Sequence, residues 1–340
     1  MSRSFNVAVV GATGAVGEAM IDILHSREFP IANLYLLSSE RSAGKRLAFG
    51  NKNIVVQRLD EFDFEQAQIA LFSAGGSVSA EYAPKAAAAG CVVIDNTSHF
   101  RYDEDIPLVV PEVNPEAVAQ YSQRNIIANP NCSTIQMMVA LKPLHDAYRI
   151  TKINVATYQA VSGAGQSAIK ELAKQTADLL NAQEPVSSVF PKQIAFNAIP
   201  QIDKFLDNGF TKEEMKMVWE THKILNDETI QVNPTAVRIP VFYGHSEAIH
   251  IETEKDIELT EAKALLEKAP GVTVISENSD GQYATAVTDA AQDDAVFVSR
   301  LRANLNQANG INCWVASDNV RKGAALNSVQ IAELLVKSYL

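Results

Sequence analysis

Apolar positions fall into short continuous runs in the first third of the chain and into longer, partly alternating runs later. Residues 7–10 form an apolar run, followed by a glycine-rich segment at 11–17 and then by Ala19, Met20, Ile23 and Leu24 at helical spacing. The order is strand, tight turn, helix. Similar short runs occupy 34–37, 69–72, 91–94 and 126–128, and the alanine-rich stretch 82–89 between two of them reads as a helix. Strands alternating with helices predict a parallel, doubly wound sheet.

Beyond about residue 130 the pattern changes. A helix starts at Thr134 and another covers 166–181, and strands of the antiparallel kind follow at 235–242, 248–254, 296–302 and 311–316. In the second of these, Ile249 and Ile251 alternate with His250 and Glu252. A second, α+β domain is expected. The last segment, 324–340, carries Leu326, Val329, Ile331, Leu334, Leu335 and Tyr339 and reads as an amphipathic helix that packs back on the first domain.

With 340 residues, 47% of them hydrophobic, the chain has enough apolar material for two packed domains. Its formal net charge of −11 argues against a polyanion-binding surface, so no nucleic-acid partner is expected and basic residues should matter singly. Three scattered cysteines, Cys91, Cys132 and Cys313, make no disulfide framework and fit a reducing cytoplasm. Neither a basic-plus-apolar leader nor a run of about 18 apolar residues occurs, so no membrane association is expected.

Candidate chemistry gathers in three places. Gly11, Gly14 and Gly17 make a G-x-x-G-x-x-G variant of the dinucleotide fingerprint, between the first strand and a helix whose N-terminus can take a pyrophosphate. Where an NAD enzyme places an acid near the end of the second strand, this chain has Ser38 and Ser39, with Arg41 and Ser42 beyond; hydroxyls and a guanidinium suit a 2′-phosphate and point to NADP. Glu40 in the same loop is the competing signal. The second place is Asn129-Pro130-Asn131-Cys132-Ser133-Thr134, which sets Cys132 at or near a helix N-terminus, where a thiolate is stabilised. Cys91 and Cys313 sit in apolar runs and read as inert core thiols. Of the six histidines, His245, at a glycine break beside a strand, is the best proton carrier for such a nucleophile. The third place is 158–165, a strand running into a glycine loop with Ser162 and Gly163, either an anion contact or a plain βα turn. Arg238, in an otherwise apolar run, needs a carboxylate partner. Lys216, Glu220 and Lys223 share one helix face and by themselves read as a solvated ladder. No metal site is expected.

Taken together, these motifs resemble the aspartate-semialdehyde dehydrogenase family over nearly the whole chain. The resemblance rests on 11–17, 98–101, 129–134, 159–165, 219–224, 238–247 and 318–325. It implies Cys132 as nucleophile, His245 as acid/base and Gln159 as the residue orienting the substrate. It further implies Arg101 and Lys223 on phosphate, with Lys216 a second candidate, Arg238 on the substrate carboxylate, Glu220 on its amino group, and Asn131 beside the nucleophile. Implied cofactor contacts are Gly11, Thr13, Gly14, Ala15, Val16, Ser38, Arg41, Ser42, Gly75, Ser162, Gly163 and Asn319. The implied organisation is a Rossmann-type NADP domain over 1–130 with 321–340 returning to it, and a catalytic and dimerisation domain over 131–320 with a mixed or antiparallel sheet. The implied assembly is a homodimer or dimer of dimers. The implied reaction is the reductive dephosphorylation of β-aspartyl phosphate to aspartate semialdehyde, on the route to lysine, threonine, methionine and diaminopimelate. Two rivals are an N-acetylglutamyl-phosphate reductase on the same plan, against which Asn131 and 238–245 weigh, and a non-catalytic dinucleotide-binding regulator, against which Cys132 and His245 weigh together.

Overall fold

The computed structural model describes residues 3–275 and 279–340. Its chain divides into two units, Met1–Asn131 with Ala324–Leu340, and Cys132–Gly323.

In the first unit, β1 (Phe5–Val10) leads through the glycine turn into α1 (Ala15–Ser26). There follow β2 (Ile31–Ser38), β3 (Arg46–Phe49), β4 (Lys52–Arg58), β5 (Ile69–Phe72), α2 (Gly76–Ala88), β6 (Val92–Asp95) and β7 (Ile126–Ala128). They form a seven-stranded sheet in the order β3-β4-β2-β1-β5-β6-β7, parallel throughout except for the β3/β4 pair. Strands β5, β6 and β7 are buried at every position, which is why they are continuous apolar runs rather than alternating ones. Because β2 lies on one side of β1 and β5 on the other, the winding reverses at β1, and its carboxyl end is the topological switch point where such sheets bind ligands. The C-terminal helix, Leu326–Ser338, buries Leu326, Val329, Ile331 and Leu335 in the same core as Val7, Val9, Met20, Ile23 and Leu24. Each such side chain contributes at most about 1.5–3 kcal/mol, which outweighs the partly exposed ion pair at 2.7 Å between Arg27, the residue that ends α1, and Glu333 of that helix.

The second unit contains α3 (Cys132–Tyr148), β8 (Ile150–Gln159), α4 (Gln166–Leu180), α5 (Lys212–Leu225), β9 (Gln231–Arg238), β10 (His245–Thr253), α6 (Leu259–Lys268), β11 (Val272–Ile275), β12 (Val296–Ala303) and β13 (Gly310–Ser317). Its six-stranded sheet has the order β11-β12-β13-β10-β8-β9 and is mixed: β8/β9 and β11/β12 are parallel, the other pairs antiparallel. One sequence expectation is corrected here. The apolar run 235–242 is not a single antiparallel strand; β9 begins earlier, runs parallel to β8 and stops at Arg238. Pro240 has no N–H for a ladder, and the chain turns there, with the N–H of Val241 bonded to the carbonyl of Ile239 at 2.9 Å. Arg238 and His245 therefore sit on different strands, Arg238 ending β9 and His245 opening β10. Pro234 is tolerated within β9 because that strand is the sheet's edge. Helix α3 is buried from Ser133 through Leu141 against this sheet, and Cys132 is its first residue.

Candidate active site

At the switch point, Gly11 has φ +86°, and a Cβ there would lie 2.6 Å from the carbonyl oxygen of Ser73 in the loop after β5. A Cβ on Gly17 would lie 2.3 Å from the carbonyl oxygen of Gly11, so only glycine lets α1 press onto the turn. No side chain caps α1 at Gly14, which leaves the first-turn amides of Ala15 and Val16 to an anion. Gly75 precedes α2 at the end of β5. Beside the turn, Thr13 Oγ1 lies 3.1 Å from Ser38 Oγ and donates to Ser42 Oγ at 3.4 Å. Glu40 is turned onto Arg58, 3.2 Å away, whereas exposed Arg41 makes no ion pair among the described residues. These residues suit a dinucleotide carrying a 2′-phosphate.

In the second unit the predicted catalytic side chains converge. His245 is fully buried, and its Nδ1 accepts the N–H of Ala160 at 3.0 Å. A nitrogen that accepts a hydrogen bond carries no proton, so the neutral ring holds its hydrogen on Nε2, which has no partner among the described residues. Burial, then the positive charge of Arg238, push the imidazole down to about 3, against the opposing Glu213 carboxylate and the Gly244 carbonyl. Arg238, almost fully buried, donates from Nη1 to the carbonyl of Ala160 at 2.6 Å. A Cβ on Gly163 would lie 3.2 Å from Arg238 Nη1 and 3.5 Å from His245 Nε2, so Gly163 marks the meeting point of the two groups. Burial lowers the Arg238 pKa while Glu213 and Cys132 oppose the fall, which puts the sulfur of Cys132 within electrostatic reach of the guanidinium. Of the three free cysteines only Cys132 is partly exposed; burial pushes the Cys91 and Cys313 thiols up to about 12.

Helix α5 supplies the charges facing this cluster. It starts with a capping box between Thr211 and Glu214, and Glu214 also accepts the N–H of Ala236 at 2.9 Å, tying the helix to β9. That docking buries Glu213 and Glu220, so the solvated-ladder reading of this face does not hold. The Nε2 of Gln159 donates to Glu213 Oε1 at 3.2 Å, and Lys216 Nζ donates to Glu213 Oε2 at 2.9 Å and to Asp203 at 3.2 Å. Lys216 therefore joins the Gln159 cluster through Glu213. Lys223 is partly exposed in the helix's last turn.

The remaining candidates lie as follows. Arg101 is largely buried and donates from Nη2 to the carbonyl of Asn96 at 2.9 Å; Asn131, also buried, ends the first unit directly before Cys132. Ser162 and Asn319 are bonded to each other in the second unit, at 3.0 Å from Asn319 Nδ2 to Ser162 Oγ. The candidate cofactor residues thus form two groups, 11–75 in one unit and Ser162, Gly163 and Asn319 in the other. Sequence reasoning missed Glu213, three residues before Lys216, and Gly323, where a Cβ would lie 2.7 Å from Cys132 Cβ. The i, i+3 spacing to Lys216 was the available signal for the first; the second lies within the 318–325 motif, but nothing local pointed to its contact with Cys132.

Residues 6–121 match the family model for the semialdehyde dehydrogenase NAD binding domain, and 141–322 match that for the semialdehyde dehydrogenase dimerisation domain. The chain is 61% identical over 339 residues to the aspartate-semialdehyde dehydrogenase of Shewanella violacea, covering 100% of both. Among solved structures, aspartate semialdehyde dehydrogenase II of Vibrio cholerae, complexed with ASA, aligns with a TM-score of 0.98 at 60% identity over 100% of both chains. The Candida albicans aspartate semialdehyde dehydrogenase with NADP aligns with a TM-score of 0.76 at 26% identity over 98% of each. With full-length similarity at this level, and with the glycine cradle and the Cys132, Gln159, Arg238 and His245 cluster in place, the chain belongs to the aspartate-semialdehyde dehydrogenase family.

Proposed function

We propose that this protein reduces β-aspartyl phosphate to aspartate semialdehyde and phosphate with NADPH, through a thioester on Cys132. The observation that carries the reading is the convergence of Arg238, Gly163 and a buried His245 around an open Nε2–H, with Cys132 in electrostatic reach of the same guanidinium. Cys132 attacks the acyl carbon as a thiolate, favoured by the positive end of α3 and by Arg238; the C–S bond forms and the C–O bond to phosphate breaks. The resemblance assigns the leaving phosphate to Arg101 and Lys223, with Lys216 a second candidate. Bound NADPH would supply the hydride that reduces the thioester; the C–S bond then breaks as the C=O bond re-forms, which releases the aldehyde and returns Cys132 as a thiolate. The Nε2–H of His245 donates to the acyl oxygen as negative charge builds there, a role that its tautomer fits better than that of base. Arg238 takes the substrate carboxylate. Gln159 orients the acyl group, and Glu213, its bonded carboxylate, joins Glu220 as a partner for the substrate ammonium. We infer a homodimer or dimer of dimers from the match to a dimerisation domain, and a cytoplasmic site from three free cysteines.

The reverse reaction tests the reading: NADPH should form from NADP, aspartate semialdehyde and phosphate with kcat/KM about 100-fold above that for N-acetylglutamate semialdehyde. Equal values for the two aldehydes would replace the proposed substrate.

Cofactor choice is a separate expected outcome. With Glu40 engaged by Arg58, and Arg41 near Ser38 and Ser42 making no ion pair among the described residues, kcat/KM for NADPH should exceed that for NADH, and Arg41→Ala should lower the ratio by roughly 10-fold or more, one lost charge-assisted contact. An unchanged ratio would place the 2′-phosphate away from Arg41.

Arg238→Lys should lose two contacts at once, a two-pronged grip on the substrate carboxylate and the bond to Ala160 that helps to seat His245. The expected loss in kcat/KM is roughly 10- to 150-fold for aspartate semialdehyde, and clearly smaller for an analogue without the carboxylate. Equal losses on both would restrict Arg238 to seating His245.

A further inference from the structure

We infer that Asn319 is a positioning residue for His245, holding the imidazole's two supports together; this rests on the reading of His245 as the hydrogen-bond donor to the acyl oxygen. Asn319 is nearly fully buried, and its Oδ1 accepts the N–H of Gly244 at 2.9 Å. That bond fixes the amide's orientation, because only the oxygen can accept, and it directs Nδ2 to Ser162 Oγ at 3.0 Å. Gly244 is the residue immediately before His245. It has φ +85°, and a Cβ there would lie 2.4 Å from the carbonyl oxygen of Ala286, so the chain entering β10 is held in a conformation that only glycine takes. Ser162 belongs to the turn Val161–Ala164. The residue before that turn, Ala160, bonds the ring at Nδ1, and Gly163 within it lies against Nε2. Asn319 thus joins the chain that carries the imidazole to the turn that sets its tautomer.

The brace is itself anchored. Asp318 Oδ1 accepts the N–H groups of Val320 and Arg321 at 2.7 and 2.9 Å, and Oδ2 accepts that of Gln292 at 2.7 Å. Five residues after Asp318, Gly323 bonds back to its carbonyl at 3.0 Å and lies against Cys132. One tight segment, 318–323, therefore supports the histidine at one end and the nucleophile at the other. The resemblance implies that Asn319 touches cofactor, and its second N–H is compatible with that, but the Gly244 and Ser162 bonds are made within the chain.

The charged groups acting on His245 are Arg238 at the end of β9, which disfavours protonation, and Glu213 on α5, which favours it; Cys132 at the head of α3 acts on Arg238. Releasing the ring lets water reach it and moves it back toward ordinary imidazole behaviour. In Asn319→Ala, kcat should fall roughly 10- to 100-fold, while the Kd of NADP by fluorescence titration and the KM of aspartate semialdehyde change less than about 3-fold. The acid limb of the kcat pH profile should rise by about one pH unit or more. Asn319→Asp, which keeps the acceptor for Gly244, should recover part of kcat. In a His245→Asn background, Asn319→Ala should add less than about a 2-fold loss. Ser162→Ala severs the tie from the other side and should move the acid limb the same way by less, which keeps the test open should Asn319→Ala not fold. An unmoved acid limb in the folded variants, or a loss confined to NADP affinity, would overturn the inference. If His245→Asn keeps wild-type kcat, it is the reading of His245 as donor to the acyl oxygen that fails instead.

Discussion

Cys132→Ala is expected to lower turnover by about four orders of magnitude or more, because without sulfur no thioester forms and the remaining groups can only bind the substrate. The fold should survive: Cys132 is the partly exposed first residue of α3, and the helix is held by the buried residues Ser133 through Leu141. NADP affinity should be unchanged within about 2-fold, since Cys132 is not among the residues that suit the dinucleotide. Iodoacetamide should label Cys132 well ahead of Cys91 and Cys313, whose buried thiols are pushed up to about 12. A Cys132→Ala variant that turns over at more than about a hundredth of the wild-type rate would sink the covalent route.

The second large effect is expected at a residue with no chemistry of its own. A Cβ on Gly323 would lie 2.7 Å from Cys132 Cβ and 3.2 Å from its Cα, distances that the backbone at the head of α3 cannot absorb without moving. Gly323→Ala should therefore displace the nucleophile by up to about 1 Å and reduce kcat by roughly 100-fold, with a stability loss of about 1–3 kcal/mol from overpacking. The diagnostic is the split between the two: thermal unfolding should shift by a few degrees while the alkylation rate of Cys132 and kcat change far more. A variant with normal kcat would show that the contact relaxes elsewhere, and Gly323 would lose its place in the site.

How far the sequence announced this site depends on how local each signal was. Cys132 was legible because Pro130, Ser133 and Thr134 followed by helical apolar spacing locate a helix start within a few residues. The buried strands β5 and β7 were legible as short apolar runs between breaks, whereas the β3/β4 hairpin was not, since its strands are partly exposed and their apolar residues make no run longer than three. The run 235–242 misled because its apolar residues continue past Arg238, where the regular strand ends, to Pro240, which has no N–H for a ladder. Glu213 looked like an ordinary acid in the first turn of a surface helix; only the docking of α5 onto β9 through Glu214 and Ala236 makes it buried and turns it toward Gln159. The tautomer of His245 depends on a backbone N–H 85 residues away in sequence, and the role of Gly323 on a contact 191 positions from Cys132. Pairings at that separation are set by sheet order and close packing, which no local pattern encodes.

The central claim is that the acyl group passes through Cys132, and the most direct measurement leaves out the acceptor that completes the reverse reaction. Enzyme mixed with NADP and aspartate semialdehyde, without phosphate, should release a burst of about one NADPH per active site and then slow sharply, because the thioester waits for phosphate. Acid quenching and peptide mapping by mass spectrometry should find one aspartyl group on the peptide carrying Cys132, and added phosphate should discharge it and restore turnover. A steady rate without phosphate and no adduct, or an adduct on Cys91 or Cys313, would contradict the account.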